Sequence, residues 1–242
     1  MALTLNPISS GDSNDTSFIA QGTTAADVRN ATAATSANKT GSTAFLGGHV
    51  TLFGTTYNYR SILAWDLSGY SGTVTGADFK AYGGAEVTSG FATYKDPTLY
   101  MCKTDLTSSN FSTSTYNEID SWPSSGSYDG TVDNYGSGAR GSSSAGYNTL
   151  TLNSNGLSDI NSAVGSGLFS MMFMSDDDYL SDISASGIGG NAGYGGFLSF
   201  YGIVYNTANN TANNPELILD GDGDFGTAAA PSVNSVFFGA NF

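Results

Sequence analysis

Hydrophobic and polar positions alternate most clearly over residues 58–66. Tyr59, Ser61, Leu63 and Trp65 fall on one face of an extended chain there, and Arg60, Ile62, Ala64 and Asp66 on the other. Ser68-Gly69-Tyr70-Ser71-Gly72 reads as a turn. Residues 73–82 then alternate again, with Val74 first and Ala77, Phe79 and Ala81 on one face after a register break near Gly76. Shorter strands are predicted at 18–20, 45–48, 50–53, 91–94, 98–103, 147–152, 197–205 and 217–219. Asp27-Val28-Arg29-Asn30 lies in an Ala/Thr/Asn-rich stretch that passes for a weak helix, but it reads better as a strand leading into a long loop. Leu157, Ile160, Asn161 and Val164 recur at the three- and four-residue spacing of a short helix. Ser158 is its expected cap and Gly165-Ser166-Gly167 its stop. The unbroken apolar run Leu168-Phe169-Ser170-Met171-Met172-Phe173-Met174 is expected to be a central strand buried on both faces.

Strand, turn, strand, long polar excursion, strand, short helix, buried strand and last strand form the order of an antiparallel β-sandwich. Residues 18–219 are read as that sandwich, residues 1–17 as a polar N-terminal arm ordered by a partner subunit, and residues 220–242 as a C-terminal tail. The tail ends in Val236-Phe237-Phe238 and Phe242, apolar residues expected to dock on this domain or on a neighbouring subunit. Together with the arm they favour an assembled homo-oligomer. The excursion at 108–146 is long enough to be functional.

Composition narrows the partners. The 242 residues carry 32 Gly and only 12 % charged residues, yet 14 Tyr and 14 Phe supply a core. The net charge of −14, from 21 acids against 7 bases, argues against nucleic acid, whose binding needs clustered Lys and Arg, and against anionic membranes. It suits divalent cations, and equally a surface that acids merely keep soluble. Cys102 is the only cysteine, so no intramolecular disulfide forms; it sits in a strand-like run and reads as a buried structural thiol. His49, the only histidine, reads as a strand-end residue. The first residues lack the basic start and apolar run of a secretory signal. The low Lys content and many Thr, Asn and Tyr nevertheless resemble proteins that work outside the cell.

Candidate chemistry is sparse. No GxSxG, Walker or HExxH pattern occurs, and the three Glu, at 86, 118 and 216, sit in no acid–base context. A non-enzyme is expected. Arg60 and Asp66 share one strand face, six residues apart and too distant to pair directly; each is expected to meet a neighbouring strand as a structural ion pair or hydrogen-bonded anchor, the alternative being a ligand role. Asp220-Gly221-Asp222-Gly223-Asp224 is the best metal candidate, because alternating Asp and Gly let carboxylates and carbonyls converge on one Ca²⁺. Counted from Asp220, the twelfth position is Pro231 and not Glu, so the run is no EF-hand. The alternative is an acidic turn ending the domain. Asp176-Asp177-Asp178 is a weaker candidate of the same kind. Tyr116, Trp122, Tyr128 and Tyr135 stand in the long excursion and suit stacking on a glycan ring; the competing reading makes them anchors of the excursion to its own core.

The ordered segments resemble a known module. Asp27-Val28-Arg29-Asn30, Asn38-Lys39-Thr40-Gly41 and Ala44-Phe45-Leu46 come first. Then follow Arg60-Ser61-Ile62-Leu63-Ala64-Trp65-Asp66-Leu67-Ser68, Val74-Thr75-Gly76-Ala77-Asp78-Phe79-Lys80-Ala81-Tyr82, the helix with its apolar strand, and Pro215-Glu216-Leu217-Ile218-Leu219. Over about residues 18–219 this is similar to the jelly roll of DNRLRE-domain proteins and family 96 carbohydrate-binding modules. The resemblance implies a jelly-roll sandwich, attachment outside the cell and no catalysis, with Asp27 a further Ca²⁺ ligand. The expected function is a virion structural protein of a tailed phage (a capsid decoration, head-fibre or tail-associated subunit) that acts through contacts with other virion subunits and weak glycan adhesion. A secreted carbohydrate-binding module is the alternative.

Overall fold

Thirteen strands, two α-helices and one 3-10 turn make up the described part of the computed structural model, which covers residues 2–8, 16–23, 25–38, 43–45, 47–52, 55–83, 98–107, 110–119, 134–139, 146–175, 178–179, 204–206 and 215–222. In chain order the elements are β1 (Ala2–Leu5), β2 (Thr16–Gly22), α1 (Ala25–Arg29), β3 (Ser36–Asn38), β4 (Thr43–Phe45), β5 (Gly47–Leu52), β6 (Thr55–Asp66), β7 (Val74–Gly83), β8 (Thr98–Lys103), the 3-10 turn (Thr113–Thr115), β9 (Asn134–Ala139), β10 (Gly146–Thr151), α2 (Ser154–Ala163), β11 (Leu168–Ser175), β12 (Val204–Asn206) and β13 (Glu216–Gly221). The protein is all-β, built on two antiparallel sheets. Sheet A is ordered β1-β13-β7-β10. Sheet B is ordered β3-β2-β6-β11-β8-β9, with β5 also paired to β6. β4 and β12 form a separate two-stranded pair.

β6 organises sheet B because it is long enough to hold three neighbours. β2 lies along Thr56–Ile62 on one edge, while β5 (against 55–60) and β11 (against 61–66) follow one another along the other. Its alternation is the expected one. Leu63 and Trp65 point between the sheets, where they join Phe169, Met171 and Phe173 of β11, Leu99 and Met101 of β8, and Ala77, Phe79, Leu217 and Leu219 from sheet A. α2 closes this core with Ile160 and Ala163. Thr56, Asn58, Arg60 and Ile62 point the other way, and they too are buried. A second apolar layer covers that outer face of sheet B: Ile62, Cys102, Met172 and Met174 meet Phe18, Val28, Phe111, Tyr116, Ile119 and Tyr179. β11 is thus buried on both sides from Phe169 to Met174, which is why that run lacks alternation, while Leu168 at its start is exposed.

The predicted register break in β7 is present. Asp220 of β13 faces Gly76, but Gly221 faces Val74, so Thr75 is the extra residue. Asn161 of α2 finishes the start of β7 as a surrogate strand: Val74 N–H donates to Asn161 Oδ1 (2.8 Å), and Asn161 Nδ2 donates to Val74 O (2.9 Å).

Several expectations need correction. Ala2–Leu5 is not an arm but a strand paired to β13, with Leu5 in the core. Residues 25–29 are helical, not extended; two alanines favour the turn, Asp27 lies in its first turn and Arg29 in its last. The cap of α2 is Asn153, whose side chain accepts from the N–H groups of Asn155 and Gly156, and Ser158 lies inside the helix. Gly165, with φ +75°, follows the helix as expected. β3 and β9 went unread. The strand predicted at 91–94 and the tail beyond Asp222 lie outside the described residues, as do Leu46, Phe53 and most of 197–205.

Replacing Asn153 by Ala removes two accepting contacts at the start of α2. The expected cost is about 1 kcal/mol, read as a lower urea midpoint with an unchanged slope; no shift would show that the helix is held by packing alone.

Candidate functional site: a buried arginine–carboxylate cluster

The largest concentration of polar chemistry in the described residues lies on the outer face of β6. Strand alternation sends Asn58 and Arg60 to the same side as Ile62, under the second apolar layer. Arg60 is fully buried, and a guanidinium there must find a partner for each of its five N–H donors. It does. Nε donates to Asp178 Oδ2 (2.7 Å) and Nη2 to Asp178 Oδ1 (2.8 Å), a bidentate fork. Nη2 also donates to Arg29 O (3.2 Å); Nη1 donates to Tyr116 O (3.0 Å) and Asn117 Oδ1 (2.6 Å).

The surrounding groups complete the cluster. Asn58 Nδ2 donates to Asp178 Oδ2 (2.8 Å) and to the Tyr116 hydroxyl (2.7 Å), which donates onward to Val28 O (3.0 Å). Arg29 Nε donates to Asp178 O (2.7 Å), and Asn117 Nδ2 to Ala31 O (2.6 Å). The Arg60 guanidinium carbon lies 4.0 Å from the centre of the Tyr116 ring.

Burial alone would lower the Arg60 pKa, but the adjacent Asp178 carboxylate outweighs it and holds the guanidinium above its ordinary value. Burial pushes the Tyr116 hydroxyl and the nearby Cys102 thiol well up, so both stay protonated. A charged pair, a neutral phenol and a neutral thiol shut away from water form a clamp. They tie α1, Tyr116 with Asn117, and residues 178–179 to the face of β6.

The other candidate residues stand apart. Tyr116 is wholly buried in this clamp, and its ring is covered by Arg60, so it offers no face to a sugar. Tyr135 belongs to β9 and packs in the core between the sheets, its hydroxyl donating to Asp159 Oδ2 (2.8 Å). Both rings anchor the excursion, the competing reading of the sequence. Trp122 and Tyr128 lie outside the described residues, as do Asp224, Asp176 and Asp177.

Asp220 and Asp222 are exposed at the end of β13. The Asp222 carboxylate accepts from Thr73 N–H (3.1 Å), and the Asp220 carbonyl accepts from the Thr75 hydroxyl (3.4 Å). Asp27 is on α1, over the other sheet, where it accepts from the Thr23 hydroxyl (2.9 Å). The structure therefore does not bring Asp27 to Asp220 and Asp222. No group of three or more His, Cys, Asp or Glu placed to hold a metal ion occurs among the described residues.

Asp66 meets its own turn and not a neighbouring strand. Its carboxylate accepts from Ser68 N–H (2.9 Å), and the hydrogen bonds from Ser68 hold its pKa below the usual range. Gly136, Gly138 and Gly141 have the GxGxxG spacing, but Asn134–Ala139 is a strand, whereas a phosphate loop needs a strand-to-helix turn.

Sequence reasoning misses the roles of Asn58, Asn117 and Arg29, and takes Asp178 as part of an acidic metal candidate and not as the partner of Arg60. One signal was present: two polar residues on the Ile62 face of a strand otherwise rich in core residues imply a buried polar partner. Nothing in the order of the chain names Asp178 as that partner, 118 residues away. The chain matches no protein-family model, and no curated protein matches it in sequence.

Proposed function

We propose that the sandwich is a jelly roll serving as a non-enzymatic virion structural protein: a capsid decoration, head-fibre or tail-associated subunit. The observation that supports the jelly-roll part of this reading is the pairing order. Leaving out β2–β5 and β12, eight strands remain, and first pairs with last (β1 with β13), second with seventh (β6 with β11), third with sixth (β7 with β10), and fourth with fifth (β8 with β9). A long antiparallel ribbon rolled on itself gives that nesting, the double Greek key of the jelly roll, an architecture shared by capsid and lectin domains. Fold alone does not choose between those two.

Charge supports a role in assembly over one on nucleic acid. Among the described residues, Lys80 and Lys103 bind Glu216 and Asp159, and Arg60 and Arg29 face Asp178, so carboxylates dominate the exposed surface. Like-charged copies associate through apolar contacts or through a bridging cation, and Asp220, Asp222 and Asp224 are the residues proposed to hold Ca²⁺. The second reading, a secreted carbohydrate-binding module, rests on Tyr147. It is 38 % exposed on the outward side of sheet A, with the Lys80 ammonium 5.0 Å from its ring centre.

Light scattering with and without EDTA tests the first reading, alongside co-sedimentation with phage particles. A defined oligomer that loosens with EDTA, or capture by particles, is the expected result. A monomer indifferent to EDTA that ignores particles overturns it. Glycan binding lost in Trp122→Ala then favours the secreted module.

A further inference from the structure

We propose that the outer layer of sheet B is a cover that lifts as one unit while the two-sheet sandwich stays folded. The Arg60 cluster is its latch, and Cys102 is the group it shuts in. The cover comprises residues 25–34, 104–107, 110–119 and 178–179. This goes beyond the assembly role and does not depend on it.

The first ground is the division of the apolar side chains. The buried hydrophobics fall into two separate clusters with the backbone of sheet B between them. One unites both sheets and α2; the other unites the outer face of sheet B with the cover. Losing the second leaves the first intact, a condition for opening below the global transition.

The second ground is how the cover is built. None of its segments is a strand of sheet B. α1 has only five residues, too few to persist without packing. The segments are instead knit to one another. Ala34 N–H donates to Thr113 O (2.8 Å), the Tyr116 hydroxyl to Val28 O, Asn117 Nδ2 to Ala31 O, Arg29 Nε to Asp178 O, and the Thr104 hydroxyl to Glu118 O. Pieces bound mutually in this way move together. Polar ties from three of them reach the sheet at Asn58 and Arg60, and the Tyr179 ring stacks on Tyr100 of β8, 3.8 Å between centres. Weakening the charged point shared by all three segments favours their release together.

The third ground is what lies beneath. Cys102 is fully buried on the outer face of β8, its Sγ 3.7 Å from Met174 Sδ. Phe18, at the same face, holds Phe111 of the cover at 4.2 Å between ring centres. Lifting the cover therefore exposes a thiol that the folded state conceals.

The chain supplies its own probe, since Cys102 is the only cysteine. The full-length protein is treated with a thiol-specific disulfide reagent across a urea series, and hydrogen exchange is followed by mass spectrometry on the same samples. The expected result is labelling with a shallow urea dependence at concentrations where β7 and β13 remain protected, and joint early exchange of 25–34 and 104–119. Asp178→Asn is expected to raise the labelling rate roughly a hundredfold or more, the scale of breaking a buried ion pair, with β7 still exchanging more slowly than the cover. If that variant does not fold, Phe111→Leu thins the Phe18 contact and is expected to accelerate labelling about tenfold. Labelling only with the steep urea dependence of global unfolding, together with cover peptides as protected as β7, overturns the proposal.

Discussion

Arg60→Ala is expected to lower the stability of the folded protein by about 3–5 kcal/mol, the cost of leaving a buried carboxylate without its partner. The loss exceeds that of one interaction because Arg60 serves five acceptors at once. Its removal strands Asp178, two backbone carbonyls and the Asn117 side chain in an apolar layer. For a chain of this size the melting temperature should fall by about 2–4 °C per kcal/mol. Arg60→Lys is expected to recover little, since an ammonium offers three donors and no planar fork. The discriminating partner is the double change Arg60→Met with Asp178→Leu. Where two charges are exchanged for two apolar groups of similar bulk, neither member of the pair is stranded, and part of the loss is expected to return, the buried Arg29 guanidinium beside Asp178 limiting the recovery. Thermal melts of the three variants check this. An Arg60→Ala protein within about 1 kcal/mol of the parent, the usual range for an exposed ion pair, would mean that the cluster is open to water.

Local pattern and long-range partnership were unequally legible in the sequence. β6, β7, β8 and β11 could be read because a half-buried or fully buried strand writes its environment into every second side chain, or into all of them. The fit extends to the extra residue beside Gly76. β9 could not be read: Asn134-Tyr135-Gly136-Ser137-Gly138-Ala139 offers one large apolar side chain, and its place in the sheet comes from pairing with β8. Gly136, at φ +141° and with Thr151 O within 2.8 Å of where a Cβ would sit, owes its identity to a close approach of β10 that lies outside its own segment.

The same division explains the candidate site. Arg60 stands out as a cation amid core residues, but the carboxylate that satisfies it comes from an acidic run that local reading takes as a weak metal candidate. Tyr116 and Tyr135 show the same limit. An aromatic in a Gly/Ser/Asn-rich excursion suits either display or anchoring, and local pattern does not record that both rings are buried.

Phe79→Ala is expected to cost about 3–5 kcal/mol, comparable to losing Arg60 but arising from the opposite physics. Phe79 lies on β7, an interior strand of sheet A, at the point where the two sheets meet. It stands edge-on to Trp65 (ring centres 6.1 Å apart, planes at 75°) and lies 4.7 Å from Phe173, so one ring bridges sheet A to both β6 and β11 of sheet B. Neighbouring strands set Leu150 and Leu217 opposite it in register. These neighbours are held by sheet hydrogen bonds and cannot collapse into the vacated volume, so the loss combines the transfer term with a cavity term. One position along β10, Thr149 lies across from Lys80 and faces water. Thr149→Ala, on the same sheet and in the adjacent row, is expected to stay within about 0.5 kcal/mol of the parent. Comparing the two by urea denaturation isolates burial from strand propensity, because both are central positions of paired strands. Similar costs for the two would mean that sheet A does not pack on sheet B through this face. A large cost for Phe79→Ala alone locates the protein's main stabilisation between the sheets and leaves the Arg60 clamp to hold the layer outside them.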